Sequence, residues 1–357
     1  MDEREEPIEK KVAWSTVLAG LLIFVAAYIV IIGLLLYFSG ALTSRIDQSR
    51  IVQKTSEIVP YPVALVGGSF ITNKKVLANL ASVQRFYENQ DFSKIGLRID
   101  FSTVDGKKRL EIKGKEVFNK LIDDAVIQAE AEKDGLTLTP EMINQEVDRT
   151  LKEYGTGDML KNNLAKLYGW NLDDFKENIV KPDLYREKIV GYIQENDPSF
   201  SAAKEKIAAA EKSLKDGMSF SDAVKKYSDG KNAASGGSLG WFSAPQMLPE
   251  VAVAVFKLNA GQQSEIIRSG LGYHIVRVED KKTENNVNVV KVSQIFVKTK
   301  SFSDWLAETE KKYRVTVFSR EFQWDAQSQA LEFRSADLRD YEKKMQDNPP
   351  NDPSVIF

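Results

Sequence analysis

Gly236-Gly-Ser-Leu-Gly-Trp-Phe242, with Gln246-Met247, Phe256-Lys-Leu258 and Gly272-Tyr-His-Ile-Val-Arg-Val-Glu279 downstream, decides how residues 202–280 fold. A glycine- and serine-rich loop over 230–240 separates two short helices, expected from Ala202 onward, from a helix near 250–257 and a strand over Gly272–Glu279. Leu239, Trp241, Phe242, Met247 and Phe256 gather apolar surface around that loop. The segment reads as a small α/β unit. On pattern alone the apolar cluster serves equally well as a domain core or as a binding surface.

Working outward, Asp197-Pro-Ser-Phe marks a boundary on the N-terminal side. Before it, helical patterns run over about 114–134, 140–154, 158–168 and 172–194, with Thr139-Pro140 as a start signal and Pro182 expected to kink or divide the last. Pro60 to Thr72 reads as two short strands around Gly67-Gly68, and a helix follows from Asn73 to about Asn89. Downstream, Lys281–Asn286 reads as a polar linker, then come a strand over Val289–Lys298, a helix from Ser301 and a strand around Tyr313–Phe318. The tail from Leu338, with Asn348-Pro-Pro-Asn-Asp-Pro353, is expected to be disordered beyond about residue 346.

Nearer the N-terminus, no charged residue occurs between Val12 and Ser44, and Val17 to Phe38 is almost wholly apolar. A hydrocarbon core of about 30 Å needs roughly 20 such residues, so residues 12–40 are expected to span a bilayer. The alternative is a cleaved signal peptide ending near Ser39-Gly-Ala41, but the apolar run is about twice the usual 7–15 residues. Lys10 and Lys11 on one side and Arg45 and Arg50 on the other leave orientation undecided by charge.

Composition removes many chemistries. A net charge of −2 and a pI near 5.8 offer no basic face for nucleic acid. With no cysteine and a single histidine, His274, a Cys-based or His-rich metal site cannot be built. No phosphate-binding Gly-Lys-Ser/Thr loop or dinucleotide fingerprint appears.

Phe220-Ser-Asp-Ala-Val-Lys-Lys-Tyr-Ser-Asp229, together with the quoted segments, resembles the parvulin family in both order and spacing across about 80 residues. The resemblance implies a peptidyl-prolyl cis-trans isomerase of the PpiC type, acting on protein chains without a cofactor or metal. It implies that Leu239, Phe242 and Met247 line a proline pocket, with Val251 where the family has a phenylalanine. It also places His274 on the floor near the amide, either in direct chemistry or as a structural hydrogen-bonding group. Parvulins usually open with a central strand just before the first helix, and Gln194–Phe200 cannot be that strand. Val292-Ser-Gln-Ile-Phe-Val-Lys-Thr299 resembles it instead, implying a permuted domain, with a separate C-terminal hairpin as the alternative. In that alignment Gln294 takes the place of the family's first histidine, and Gly230, after Asp229, that of an acidic or cysteine residue. Gln294 and Asp229 are the further catalytic candidates beside His274.

Residues 61–195 more weakly resemble the N-terminal chaperone region of SurA-type foldases. The carriers are Val66-Gly-Gly-Ser-Phe-Ile-Thr72, Leu121 to Ala131, Leu136 to Ile143 and Tyr168-Gly-Trp-Asn-Leu-Asp-Asp-Phe175. The resemblance implies a cradle for unfolded segments; the alternative is that these helix faces pack on one another.

The expected architecture is α+β. It comprises a terminal segment (1–11), a transmembrane anchor (12–40), a juxtamembrane linker (41–59), a mainly helical chaperone-like region (60–196), a parvulin-like antiparallel sheet with helices (199–282), a C-terminal segment supplying its first strand (288–335), and a tail (338–357). The expected protein is a single-pass membrane protein with its bulk extracytoplasmic, and its partners are the bilayer and unfolded or proline-containing chains. Three functions compete: isomerase and foldase, non-catalytic holdase, and envelope scaffold.

Overall fold

The structure is a computed structural model, which describes residues 14–38, 60–90, 100–153 and 157–347. In chain order the elements are α1 (Trp14–Phe38), β1 (Pro62–Val66), β2 (Ser69–Thr72), α2 (Asn73–Asn89), α3 (Val104–Lys133), α4 (Pro140–Glu153), α5 (Gly157–Asn163), α6 (Lys181–Asn196), α7 (Pro198–Lys215), α8 (Phe220–Tyr227), β3 (Ser238–Ser243), α9 (Pro249–Val255), β4 (Ile267–Ser269), β5 (Gly272–Glu284), β6 (Val287–Lys298), α10 (Phe302–Glu310), β7 (Val315–Val317), β8 (Phe322–Asp325), β9 (Ala330–Phe333) and α11 (Ala336–Asp347). Two compact units divide them. One holds residues 1–126, 141–180 and 313–357, the other residues 127–140 and 181–312.

The first unit is mixed rather than purely helical. β1 and β2 form the hairpin expected around Gly67-Gly68, and β7 pairs with the other edge of β1. Thr72 caps α2 by accepting from the Lys75 amide, and Val76, Leu77, Leu80 and Tyr87 form its buried stripe. α3 begins ten residues before the expected start. Its first turn is closed by Thr103, whose hydroxyl oxygen accepts from the Gly106 amide at 2.9 Å. Residues 164–168 and 176–180 are π-helical, so Pro182 falls in the first turn of α6 and the expected long helix is divided there. Two features were not anticipated. β8 and β9 make a hairpin whose Phe322 and Phe333 pack with Phe118 of α3. The segment expected to be tail begins instead with α11, held to α3 by Lys115–Glu342 at 2.7 Å and Lys108–Asp337 at 2.9 Å. Residues beyond 347 lie outside the described set.

Among the described residues no helix is long and apolar enough to cross a membrane. The described side chains of α1 run only from Leu22 to Leu34, and the expected span over 12–40 extends past them on both sides.

The second unit is built on an antiparallel sheet of order β3-β6-β5-β4. Side chains alternate across β5 and β6. Ile275, Ile295 and Val297 face one way, into a core with Ile207 and Ala210 of α7 and Phe220 and Val224 of α8. Val276, Val278, Val290 and Val292 face the other way, under Val251 and Val255 of α9. The expected polar linker over Lys281–Asn286 is a correction: β5 continues to Glu284 and turns directly into β6. Asn285 and Asn286 take φ of 49° and 64°, the left-handed pair that a tight hairpin turn requires and that asparagine tolerates.

Candidate active site

α9 is only seven residues long, so it covers part of one sheet face and leaves the rest as a cleft. A cavity of about 210 Å³ opens there. Leu239 and Phe242 of β3, Met247 and Leu248 of the following turn, and Val251 of α9 supply its apolar wall. His274 and Val276 of β5 and Val292, Gln294 and Phe296 of β6 supply its floor. Six of the seven residues singled out in the sequence therefore meet in one place. They are drawn from segments more than fifty residues apart.

The register explains how. His274 pairs with Phe296 and Val276 with Gln294, so His274 and Gln294 are diagonal neighbours on the same face. His274 is 4% exposed. Its Nδ1 lies 3.3 Å from Gln294 Oε1 and its Nε2 2.8 Å from Ser269 Oγ. The Phe296 ring stacks on the imidazole, with centroids 4.8 Å apart. Burial pulls the imidazole pKa below its ordinary value of 6.5, only partly offset by Gln294, so the ring is neutral near pH 7.

Gly237 secures this register. Its carbonyl accepts from the Gln294 amide at 3.0 Å, and its φ is +81°. A Cβ there would lie 2.5 Å from Gln294 O and 2.9 Å from Val224 Cγ2. Only glycine fits.

Asp229 stands apart from the other candidates and does not line the cavity. Its carboxylate pairs with Lys206 and accepts from the Lys298 amide at 3.0 Å, while its own amide donates to Phe296 O. Ser228 Oγ accepts from the Phe296 amide at 3.0 Å. Ser228 and Asp229 thus fix the residue that stacks on His274. Ser269, Leu271 and Phe296 were missed in the sequence. Only strand pairing brings them beside His274, and no local spacing signals that. Among the described residues, none of the twelve lining side chains is charged, and no cluster of ligating side chains could hold a metal.

An antiparallel four-stranded sheet flanked by helices, with an uncharged cleft over one buried histidine, is the arrangement of a parvulin-type domain. Residues 189–280 match the PPIC-type PPIASE domain family, and residues 10–190 match the SurA-like N-terminal domain family. The second match takes in half of the chain, which belongs to the SurA-like N-terminal domain family and carries a PPIC-type domain after it. A foldase protein PrsA of Geobacillus kaustophilus is 30% identical over 194 residues, 50% of this chain and 66% of that protein. The foldase protein PrsA of Bacillus subtilis is 34% identical over 161 residues, 40% of this chain and 53% of that protein. The chain thus spans between about half and two thirds of these relatives' length. A crystal structure of a peptidylprolyl isomerase (PrsA) from Bacillus anthracis is 22% identical, covering 55% of this chain and 86% of that chain with a TM-score of 0.20, too low to compare the overall arrangement.

Proposed function

We propose that this chain is a membrane-tethered peptidyl-prolyl cis-trans isomerase and foldase for secreted or envelope proteins. The observation that carries the reading is the uncharged cleft of about 210 Å³, walled by Leu239, Phe242, Met247 and Val251 above the buried neutral His274. An X–Pro bond rotates over tens to hundreds of seconds because rotation breaks amide conjugation, a barrier of ~18–20 kcal/mol. No covalent intermediate is needed. The wall grips the proline ring and strips water from the amide, and directed hydrogen bonds favour the twisted state. Relatives called foldases and a PPIC-type domain support the same activity.

In this reading the isomerase domain of residues 199–282 is circularly permuted, completed by the strand from Val287. Three observations support that. The family match ends at residue 280, before β6. β6 lies between β3 and β5. Its C-terminal end meets the start of α7, where the Lys300 amide donates to Ser199 Oγ at 3.4 Å and Lys300 Nζ pairs with Asp197 at 3.2 Å. In the family's order those two ends are consecutive.

The helical region of residues 60–196 serves as the client cradle, and α1 is the anchor that leaves the bulk outside the cytoplasm. The anchor is supported by 25 helical residues without a charge and by the exposure of Leu22, Ile23 and Phe24.

Refolding of a proline-limited substrate by the full chain in detergent micelles tests the activity. Acceleration that falls at least fivefold in Met247→Ala supports it. Suppression of aggregation with no acceleration would replace it by a second reading, a non-catalytic holdase, which Gln294 in place of the family's first histidine and Gly230 in place of its acid or cysteine favour.

A further inference from the structure

His274 is the residue to which chemistry in this cleft would first be assigned, yet both its ring nitrogens are already engaged, by Ser269 Oγ at 2.8 Å and Gln294 Oε1 at 3.3 Å. A neutral imidazole has one donor and one acceptor nitrogen. With Oε1 facing Nδ1, the arrangement calls for a proton on Nδ1 and for Nε2 to accept from the Ser269 hydroxyl, whose other acceptor, Gly272 O, lies farther off at 3.3 Å. Ser269 is 5% exposed and its oxygen also accepts from the Leu271 amide at 3.1 Å. Nothing of the histidine is left over for a substrate.

Gln294 is different. Its Oε1 is spent on the histidine, while its Nε2 has no partner among the described residues and its side chain lines the cavity. Planar conjugation draws the lone pair of the prolyl nitrogen into the carbonyl, and twisting returns it to nitrogen. A donor to the carbonyl oxygen therefore favours the planar states. A donor to the nitrogen bonds the twisted state alone, and only such differential interactions lower the barrier.

Resting on the isomerase reading above, we infer that Gln294 is the hydrogen-bond donor to the prolyl nitrogen of the twisted amide, held in that orientation by His274 and Ser269 as positioning residues. The glutamine then supplies the site's directed donor rather than marking a lost histidine. The other amide on the cavity wall, Gln246, is oriented by its own turn, where its Oε1 accepts from the Ser243 amide and hydroxyl at 2.8 Å each.

The chain has one histidine, so its tautomer can be read without assignment by ¹⁵N–¹H correlation of the histidine-labelled full-length protein. The expected spectrum shows the proton on Nδ1, with mixed tautomers in Ser269→Ala. Gln294→Met, which keeps length and removes the donor, is expected to lower kcat about tenfold with KM changed less than twofold. Unshifted backbone amide resonances of α7 and α8, which do not touch the cleft, would certify the fold of that variant. A proton on Nε2 overturns the inference, as does an unchanged kcat in Gln294→Met or a kcat loss confined to Gln246→Met. A wild-type protein without isomerase activity would sink the isomerase reading instead. The Gln294 side-chain amide protons would then decide, by shifting on addition of an Ala-Pro peptide or, against the inference, by staying put.

Discussion

Gly237 and His274 show how single residues hold this site. Replacing Gly237 by alanine forces a left-handed residue to carry a Cβ into the Gln294 carbonyl and Val224. The expected loss is about 3 kcal/mol, from backbone strain together with overpacking, and a urea titration measures it. His274 has its pKa depressed by burial, so below pH 6.5 the unfolded chain takes up a proton that the folded chain refuses. Its contribution is therefore complete above about pH 6.5 and is lost as pH falls toward the folded value. The slope is at most about 1.4 kcal/mol per pH unit. Comparing the urea midpoints of the wild type and His274→Phe at pH 7.5 and 5.5 isolates the effect. A wild-type protein no more acid-sensitive than the variant between those values would refute it.

Elements show where reading the chain alone stops. Helix starts were legible at Thr139-Pro140 and Ser301, and α2 was legible from its apolar stripe, with the Thr72 cap seen only in the structure. Asp197 caps α7, which begins four residues before the start expected at Ala202, by accepting from the Ser199 amide at 2.9 Å. Burial pushes the carboxyl pKa up, but Ser199 and Lys300 together hold it below the usual carboxylate value. Asp197→Ala should therefore cost about 1 to 2 kcal/mol in the second unit, seen as an earlier urea transition for α7. The β5–β6 turn was not legible. Lys281 to Asn286 is polar throughout and lacks alternation, so nothing apolar marks it as strand, and the Asn285-Asn286 signal carries no glycine. β8 and β9 were likewise hidden, since four-residue strands give a period-two pattern too short to register.

At the scale of the whole molecule, the pocket residues were readable because they sit in local motifs. Asp229 was misjudged as a cleft residue, since only the fold shows that its carboxylate is committed to Lys206 and Lys298. The proposed anchor belongs to this scale too. Full-length protein should sediment with membranes and resist alkaline carbonate, whereas a variant lacking residues 1–40 should remain in the supernatant. Release of the full-length chain by carbonate would dismiss α1 as a span.

The position of β6 also imposes a timetable. The cavity floor includes Val292, Gln294 and Phe296, which the ribosome adds roughly ninety residues after α7 begins. A chain leaving the synthesis or export machinery N-terminus first can form its helical region, but β3 and β5 have no strand between them until residue 298 has emerged. Nascent molecules therefore pass through a stage in which helices are present and no proline-sized cleft exists. The domain closes late, only once β6 can enter between β3 and β5.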